Sequence, residues 1–199
     1  MKTLSRLISI AILLPLFLTS CDKMDEIDLS GSVFIEDSYQ PGLPIYSEWG
    51  YNTFGAYIDR KAFVSTDHEL PAKVFVNNDT LHLLLRGRMD NNIVDLKFSV
   101  KGFEPQNNFD LVMLDDTIIN LSDSGRAVYL TINNKETKLD IIEGELIVKR
   151  AQRLFVDNVA TRTIISGRFN LKTFINDEPA AISQGRYDLG IGYENFFNF

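Results

Sequence analysis

Two histidines, one cysteine and a few clustered carboxylates are the side chains of this 199-residue sequence best suited to chemistry. His68 sits in Ser65-Thr66-Asp67-His68-Glu69, a loop-like run, and His82 alternates with Leu81 and Leu83 as the polar face of a strand would. A Ser-His-Asp arrangement needs one of them beside an activated serine, and no Gly-x-Ser-x-Gly elbow accompanies either. Two isolated histidines also lack zinc-ligand spacing, so both read as solvated surface residues. Asp115-Asp116, Asp123, Glu143 and Glu145 are the carboxylates that could pair for glycan hydrolysis. Asp115, Asp116 and Asp123 are in addition the hard-oxygen candidates for calcium, although no EF-hand spacing joins them. Acids in the loops of an acidic protein are ordinarily solvated. The expectation is a non-enzymatic chain with no cofactor and no catalytic residues, and with a carboxylate hydrolase as the remotest alternative.

Aromatic side chains offer a different chemistry. Trp49, Tyr51, Phe54 and Tyr57 gather at one point of the chain, and Tyr193, Phe196, Phe197 and Phe199 at its end. Exposed rings stack on sugars, which makes Trp49, Tyr51 and Tyr193 the candidates for ligand stacking. The plainer alternative is that these rings cap the open ends of a β core.

Charge narrows the partners. The chain carries 20 basic and 27 acidic side chains, a formal net charge of −7. Loss of residues 1–20 would take Lys2 and Arg6 with it and leave −9. Such a balance excludes nucleic acid, which demands clustered Lys and Arg, and argues against adsorption to anionic lipid through a basic patch. One cysteine permits no internal disulfide, and a chain this long can bury a core without one.

The leader is built for export. Lys2 and Arg6 precede an apolar stretch over 7–18, interrupted by Ser9 and Pro15. It is too short for a membrane span, which needs about 20 residues, and it suits a signal-peptide core. Leu18-Thr19-Ser20-Cys21 resembles the lipobox of bacterial lipoproteins. That resemblance implies removal of residues 1–20, diacylglycerol on the Cys21 sulfur and attachment to the membrane through that lipid alone. The free thiol that a cysteine nucleophile requires would then be gone. Asp22-Lys23-Met24-Asp25-Glu26 is similar to the acidic export tag of Bacteroidota surface lipoproteins. It implies the outer membrane, facing outward, with a periplasm-facing placement as the alternative.

Residues 21–48 mix acids with Gly31, Pro41, Gly42 and Pro44 and read as a tether, with one short strand at Val33-Phe34-Ile35. Residues 49–199 read as one β domain. Val94, Leu96, Phe98 and Val100 alternate with Asp95, Lys97 and Ser99, and Leu81-Leu83-Leu85 and Val128-Leu130-Ile132 repeat the pattern. Asn77-Asn78-Asp79, Asp90-Asn91-Asn92, Asn133-Asn134-Lys135 and Asn176-Asp177-Glu178-Pro179 separate the runs with turn-forming residues. No amphipathic helix stands out. About ten short strands in a mostly antiparallel meander must close as a sandwich or barrel-like fold to bury one face.

Gly167-Arg168-Phe169-Asn170-Leu171 is echoed by Gly185-Arg186-Tyr187-Asp188-Leu189. The two segments are expected to pair as a hairpin, roughly 163–175 with 180–191, each glycine lying opposite a ring. Arg168, Asn170, Arg186 and Asp188 would then face water. These closing motifs, with the opening Asn52-Thr53-Phe54-Gly55, resemble a β-rich domain of Bacteroidota lipoproteins without a known activity. The resemblance implies a β fold and supplies no catalytic residue. The functional expectation is a membrane-anchored module that binds a glycan or protein partner. A structural envelope lipoprotein with no soluble ligand is the alternative.

Overall fold

The computed structural model describes residues 31–66, 70–175 and 177–199. Cys21, the leader and His68 lie outside the described residues. Twelve strands form one sheet: β1 (Thr53–Ile58), β2 (Lys61–Val64), β3 (Ala72–Asn77), β4 (Thr80–Met89), β5 (Asn92–Lys101), β6 (Thr117–Asn120), β7 (Arg126–Ile132), β8 (Lys135–Lys138), β9 (Asp140–Val156), β10 (Val159–Ile175), β11 (Glu178–Ile191) and β12 (Phe196–Asn198). Their order is β6-β9-β10-β11-β1-β2-β4-β5-β7-β8, with β3 alongside β4 and β12 on β3. Every pairing is antiparallel except β12 with β3. The all-β expectation holds.

Turn chemistry fixes the meander. Asp59-Arg60, Asn133-Asn134 and Asp157-Asn158 each adopt positive φ at both residues, the left-handed geometry of tight hairpins. Asn78 and Asp90 supply single left-handed positions at two more turns. Period-two alternation then aims one face of each strand inward. The sheet folds over so that Phe98 of β5 meets Phe169 of β10, ring centroids 5.2 Å apart in an edge contact. Phe54, Phe63 and Tyr187 complete a fully buried aromatic centre. The cavity between Leu81, Leu111, Ile165 and Tyr187 holds about 20 Å³, far below a ligand cavity of roughly 300 Å³ or more. The fold is sandwich-like, and ligand space has to be sought on its outer faces.

Two elements differ from the pattern read above. β9 and β10 each run for 17 residues, so their shared hairpin projects past its neighbours, since β11 pairs with β10 only from Thr163 onward. A 3-10 turn, Asn108–Leu114, buries Leu111 and Leu114 against the core. Its sequence signal was a capping box, in which the Asn107 side chain accepts from the Phe109 amide and Asp110 accepts from the Gln106 and Asn107 amides.

The expected terminal hairpin forms in the expected register. Gly167 lies opposite Tyr187, and Phe169 lies opposite Gly185. A Cβ on Gly185 would collide with the Phe169 ring and carbonyl, and one on Gly167 with the Ile147 carbonyl and the Tyr187 ring. The rings therefore cross bare backbone. Tyr187 donates its hydroxyl to the Ile147 carbonyl at 3.0 Å, and burial pushes its pKa up.

Candidate functional site

The outer face of β10, β11 and β1 is where the sequence reading needs correction. Residues 31–48, read as a tether, pack against this face, and no strand forms at Val33-Phe34-Ile35; an isolated bridge joins Glu36 to Pro44 instead. Leu43 is fully buried, and with Pro44 it lies on Gly55, where only a glycine leaves room for it. We call residues 31–52 the strap.

Arg186 and Asp188, expected to face water, are 4% and 1% exposed because the strap covers them. Alternation had assigned them to the outer face correctly. It could not show that the face is covered. Asp188 accepts hydrogen bonds from the Ser47 and Ser166 hydroxyls and from the amides of Trp49, Gly50 and Tyr51. A buried carboxylate with five donors is well compensated. Arg186 pairs with Asp37 at 2.6 Å and donates to the Pro44 and Gln184 carbonyls. Arg168 does remain exposed, its guanidinium 4.8 Å from the centre of the Tyr46 ring. Burial and the hydrogen bond to Glu48 push the Tyr46 phenol upward. All of these groups are committed to holding the strap, so their role is architectural.

Beyond the strap, the same outer face opens into a groove of about 740 Å³. Its floor is made by Tyr57 of β1, by Pro179, Ala180 and Ala181 of β11 and by Ile142 of β9, and Pro41 of the strap forms one wall. The β1–β2 turn brings Asp59 and Arg60 to the rim, and Lys172 and Ser183 stand beside them. β11 carries a bulge beside the groove, between its contacts with Phe169 and Leu171, where Gln184 adopts φ 55°. Such a bulge bends and twists its strand locally. Tyr57 is fixed from above by its hydroxyl, which donates to the Pro41 carbonyl at 2.7 Å. The result is an apolar trough with a charged lip.

The sequence candidates are scattered relative to this groove. Trp49 is 74% exposed and Tyr193 is 88% exposed, and both stand toward the opposite end of the sheet. Tyr51 is half-buried, with its amide on Asp188 and its carbonyl accepting from Val33. These three are not brought together over the groove; Tyr57 is the ring that lines it. Asp115 accepts from the Ala151 amide at 2.7 Å, which ties the segment after the 3-10 turn to β9. Asp116 lies at a left-handed turn position, and Asp123 sits in the β6–β7 turn, where its backbone carbonyl accepts from the Arg126 amide. Among the described residues, no group of three or more His, Cys, Asp or Glu side chains is arranged to hold a metal ion. Glu143 pairs with Lys172 at 2.7 Å, both about two-thirds exposed, and Glu145 is exposed two residues along β9. His82 is less solvated than the sequence reading had it. It is half-buried, stacked on Phe75 at 4.5 Å and bonded through Nδ1 to the Ser99 hydroxyl, and burial pushes its pKa down.

No protein-family model, curated protein or solved structure matches this chain.

Proposed function

We propose that this chain is a bacterial lipoprotein of the outer membrane, held by acyl chains on Cys21, whose β domain is a non-catalytic binding module facing outward. The groove beside Tyr57 carries the binding reading. Its volume suits a small ligand or a segment of an extended one. An aromatic ring, two prolines and an isoleucine give it apolar area, and Arg60, Asp59 and Lys172 supply polar contacts at the lip. A sugar, with apolar ring faces and polar edges, fits that division, and an extended peptide is the other partner class of the same shape. The lipid reading rests on the lipobox residues and on Cys21 being the one cysteine in the chain.

A soluble chain of residues 22–199, screened on a glycan array and titrated with each hit, tests the binding reading. Ala181 is exposed and lines the groove, so Ala181→Trp should fill it without touching the core. Saturable binding that disappears in Ala181→Trp, with an unchanged melting temperature, is the expected result. Binding that survives the plug would move the site elsewhere. A chain that binds neither glycans nor peptides would leave the structural envelope role in its place.

A further inference from the structure

We infer that the β9–β10 end of the domain docks on an anionic bilayer surface, so that the groove is presented away from the membrane. The docking surface is distinct from the lipid, and the inference takes only the position of the tether from the lipoprotein reading.

Three observations converge on that end. The first is where the chain comes from. Gly31 accepts from the Asn52 side chain, which also takes the Gly190 amide, and Gly190 lies opposite Ile164. The strap therefore begins near the end of the sheet at which the β9–β10 hairpin projects. Nine residues lie between Cys21 and Gly31, and the ten steps joining the two span at most about 36 Å fully extended. An anchor at Cys21 keeps this end of the domain within that distance of the bilayer.

The second is exposed apolar surface. Phe155, Val156 and Val159 flank the Asp157-Asn158 turn and are 58%, 42% and 64% exposed. Trp49 stands at the level of Ile164 and Gln152, because the Gly50 backbone packs on Ile164 and Gln152 donates to the Glu48 carbonyl. Tyr193 follows the last residue pairs of β11, beside the Arg162–Glu194 ion pair. Tryptophan and tyrosine side chains favour the headgroup level of a bilayer, where one end is apolar and the other wet.

The third is charge. The segment 149–162 holds Lys149, Arg150, Arg153 and Arg162 against the single acid Asp157, within a chain of net charge −7. Lys149, Arg150 and Arg153 are exposed; Arg162 is already paired with Glu194. The whole-chain charge conceals this run of cations, which lies along both faces of the arm, Arg150 on the strap side with Ser166 and Arg153 on the other, over the Phe109 ring. Each cation near an anionic leaflet raises partitioning by about fivefold, and tethering makes even weak contact effective by keeping the local concentration high. Thr173 at the groove lies nine residues along β10 from Ile164, roughly 30 Å farther from the surface.

The protein provides its own reporter. Trp49 is the only tryptophan and Cys21 the only cysteine. A chain of residues 21–199, coupled through the Cys21 thiol to a maleimide phospholipid, can be displayed on phosphatidylcholine vesicles with or without phosphatidylglycerol, with brominated acyl chains as quencher. The expected result is blue-shifted, quenched Trp49 emission on the anionic vesicles alone, relieved by high salt. The triple variant Lys149→Glu, Arg150→Glu, Arg153→Glu should restore water-like emission, and Phe155→Ser should weaken quenching at least twofold, both with unchanged melting temperatures. Water-like, unquenched emission on anionic vesicles would overturn the inference. So would quenching that the variants leave untouched, or concentration-dependent dimerisation through these residues without lipid, which would make this end an interface between copies. Because the coupling is chemical, native acylation does not affect this test. Mass spectrometry of the cell-derived protein decides that reading separately.

Discussion

Asp37 of the strap and Arg186 of β11, 149 residues apart in the chain, form an ion pair at 2.6 Å with the guanidinium sealed beneath the strap. The Tyr39 amide, and next to it Arg186, hold the Asp37 carboxyl below its ordinary value of 3.8. Folding thus favours the ionised form. The resulting stabilisation is complete above the ordinary value and is lost as pH falls through the lowered one. Trp49 belongs to the same strap, so its fluorescence should report a loosening step on acidification below 3.8. In Asp37→Asn that step should vanish, with the strap already looser at neutral pH. Indistinguishable acid titrations of the two proteins would show that the pair does not hold the strap.

Asp188 anchors the other half of the strap with five donors converging on its carboxylate. Asp188→Asn keeps the shape but turns one acceptor into a donor facing donors. The cost should be about 3 kcal/mol in urea unfolding, the range for stripping a buried charged acceptor from its partners. Ser47→Ala removes one donor of the five and should cost about 1 kcal/mol. Equal losses would mean that the amides of Trp49, Gly50 and Tyr51 contribute little.

Much of the fold was legible because its determinants are local. Asn78, Asp90 and Asn133-Asn134 announce their own turns, and the Val94-to-Val100 alternation announces its own face. The strap was illegible because its contacts are single anchors: Leu43 on Gly55, and, across 141 and 149 residues, Ser47 on Asp188 and Asp37 on Arg186. No periodicity records such contacts. The candidate groove is further from the sequence still, since Pro41, Tyr57, Ile142 and Pro179 come from the strap and three different strands. Arg186 and Asp188 were misread for the same reason, as the alternation of β11 gives a side and the strap decides whether that side is wet. The basic arm was legible but averaged away, since the net charge sums over the whole chain.

Phe169 and Arg168 are neighbours on β10 with opposite surroundings. Phe169 is buried and packs edge-on against Phe98. Arg168 is exposed and touches the Tyr46 ring. Phe169→Ala should cost about 3–5 kcal/mol. Arg168→Ala should cost about 0.5–1 kcal/mol, the value of an exposed cation–π contact. Denaturant melts of the two variants decide it, and a larger loss for Arg168 would contradict the face assignment.

Gly185 and Phe169 are directly opposed across β10 and β11, and neither glycine of the hairpin adopts positive φ. An alanine at Gly185 therefore needs no left-handed backbone, and what it costs must come from its methyl against the Phe169 carbonyl and ring. Overpacking of this kind in a filled core costs about 1–3 kcal/mol, so Gly185→Ala should lower stability by that amount. Trimming the ring should then recover part of the loss. In a double-mutant cycle with Phe169→Leu, the two changes should cost less together than the sum of the singles, by at least about 0.5 kcal/mol. Gly167→Ala should behave alike toward Tyr187, with less rescue from Tyr187→Phe, because the Ile147 carbonyl comes closer to its methyl than the Phe169 carbonyl does to that at Gly185. Strict additivity for Gly185→Ala with Phe169→Leu would mean that the ring does not rest on the glycine, and the echo between the two Gly-Arg-aromatic segments would lose its packing explanation.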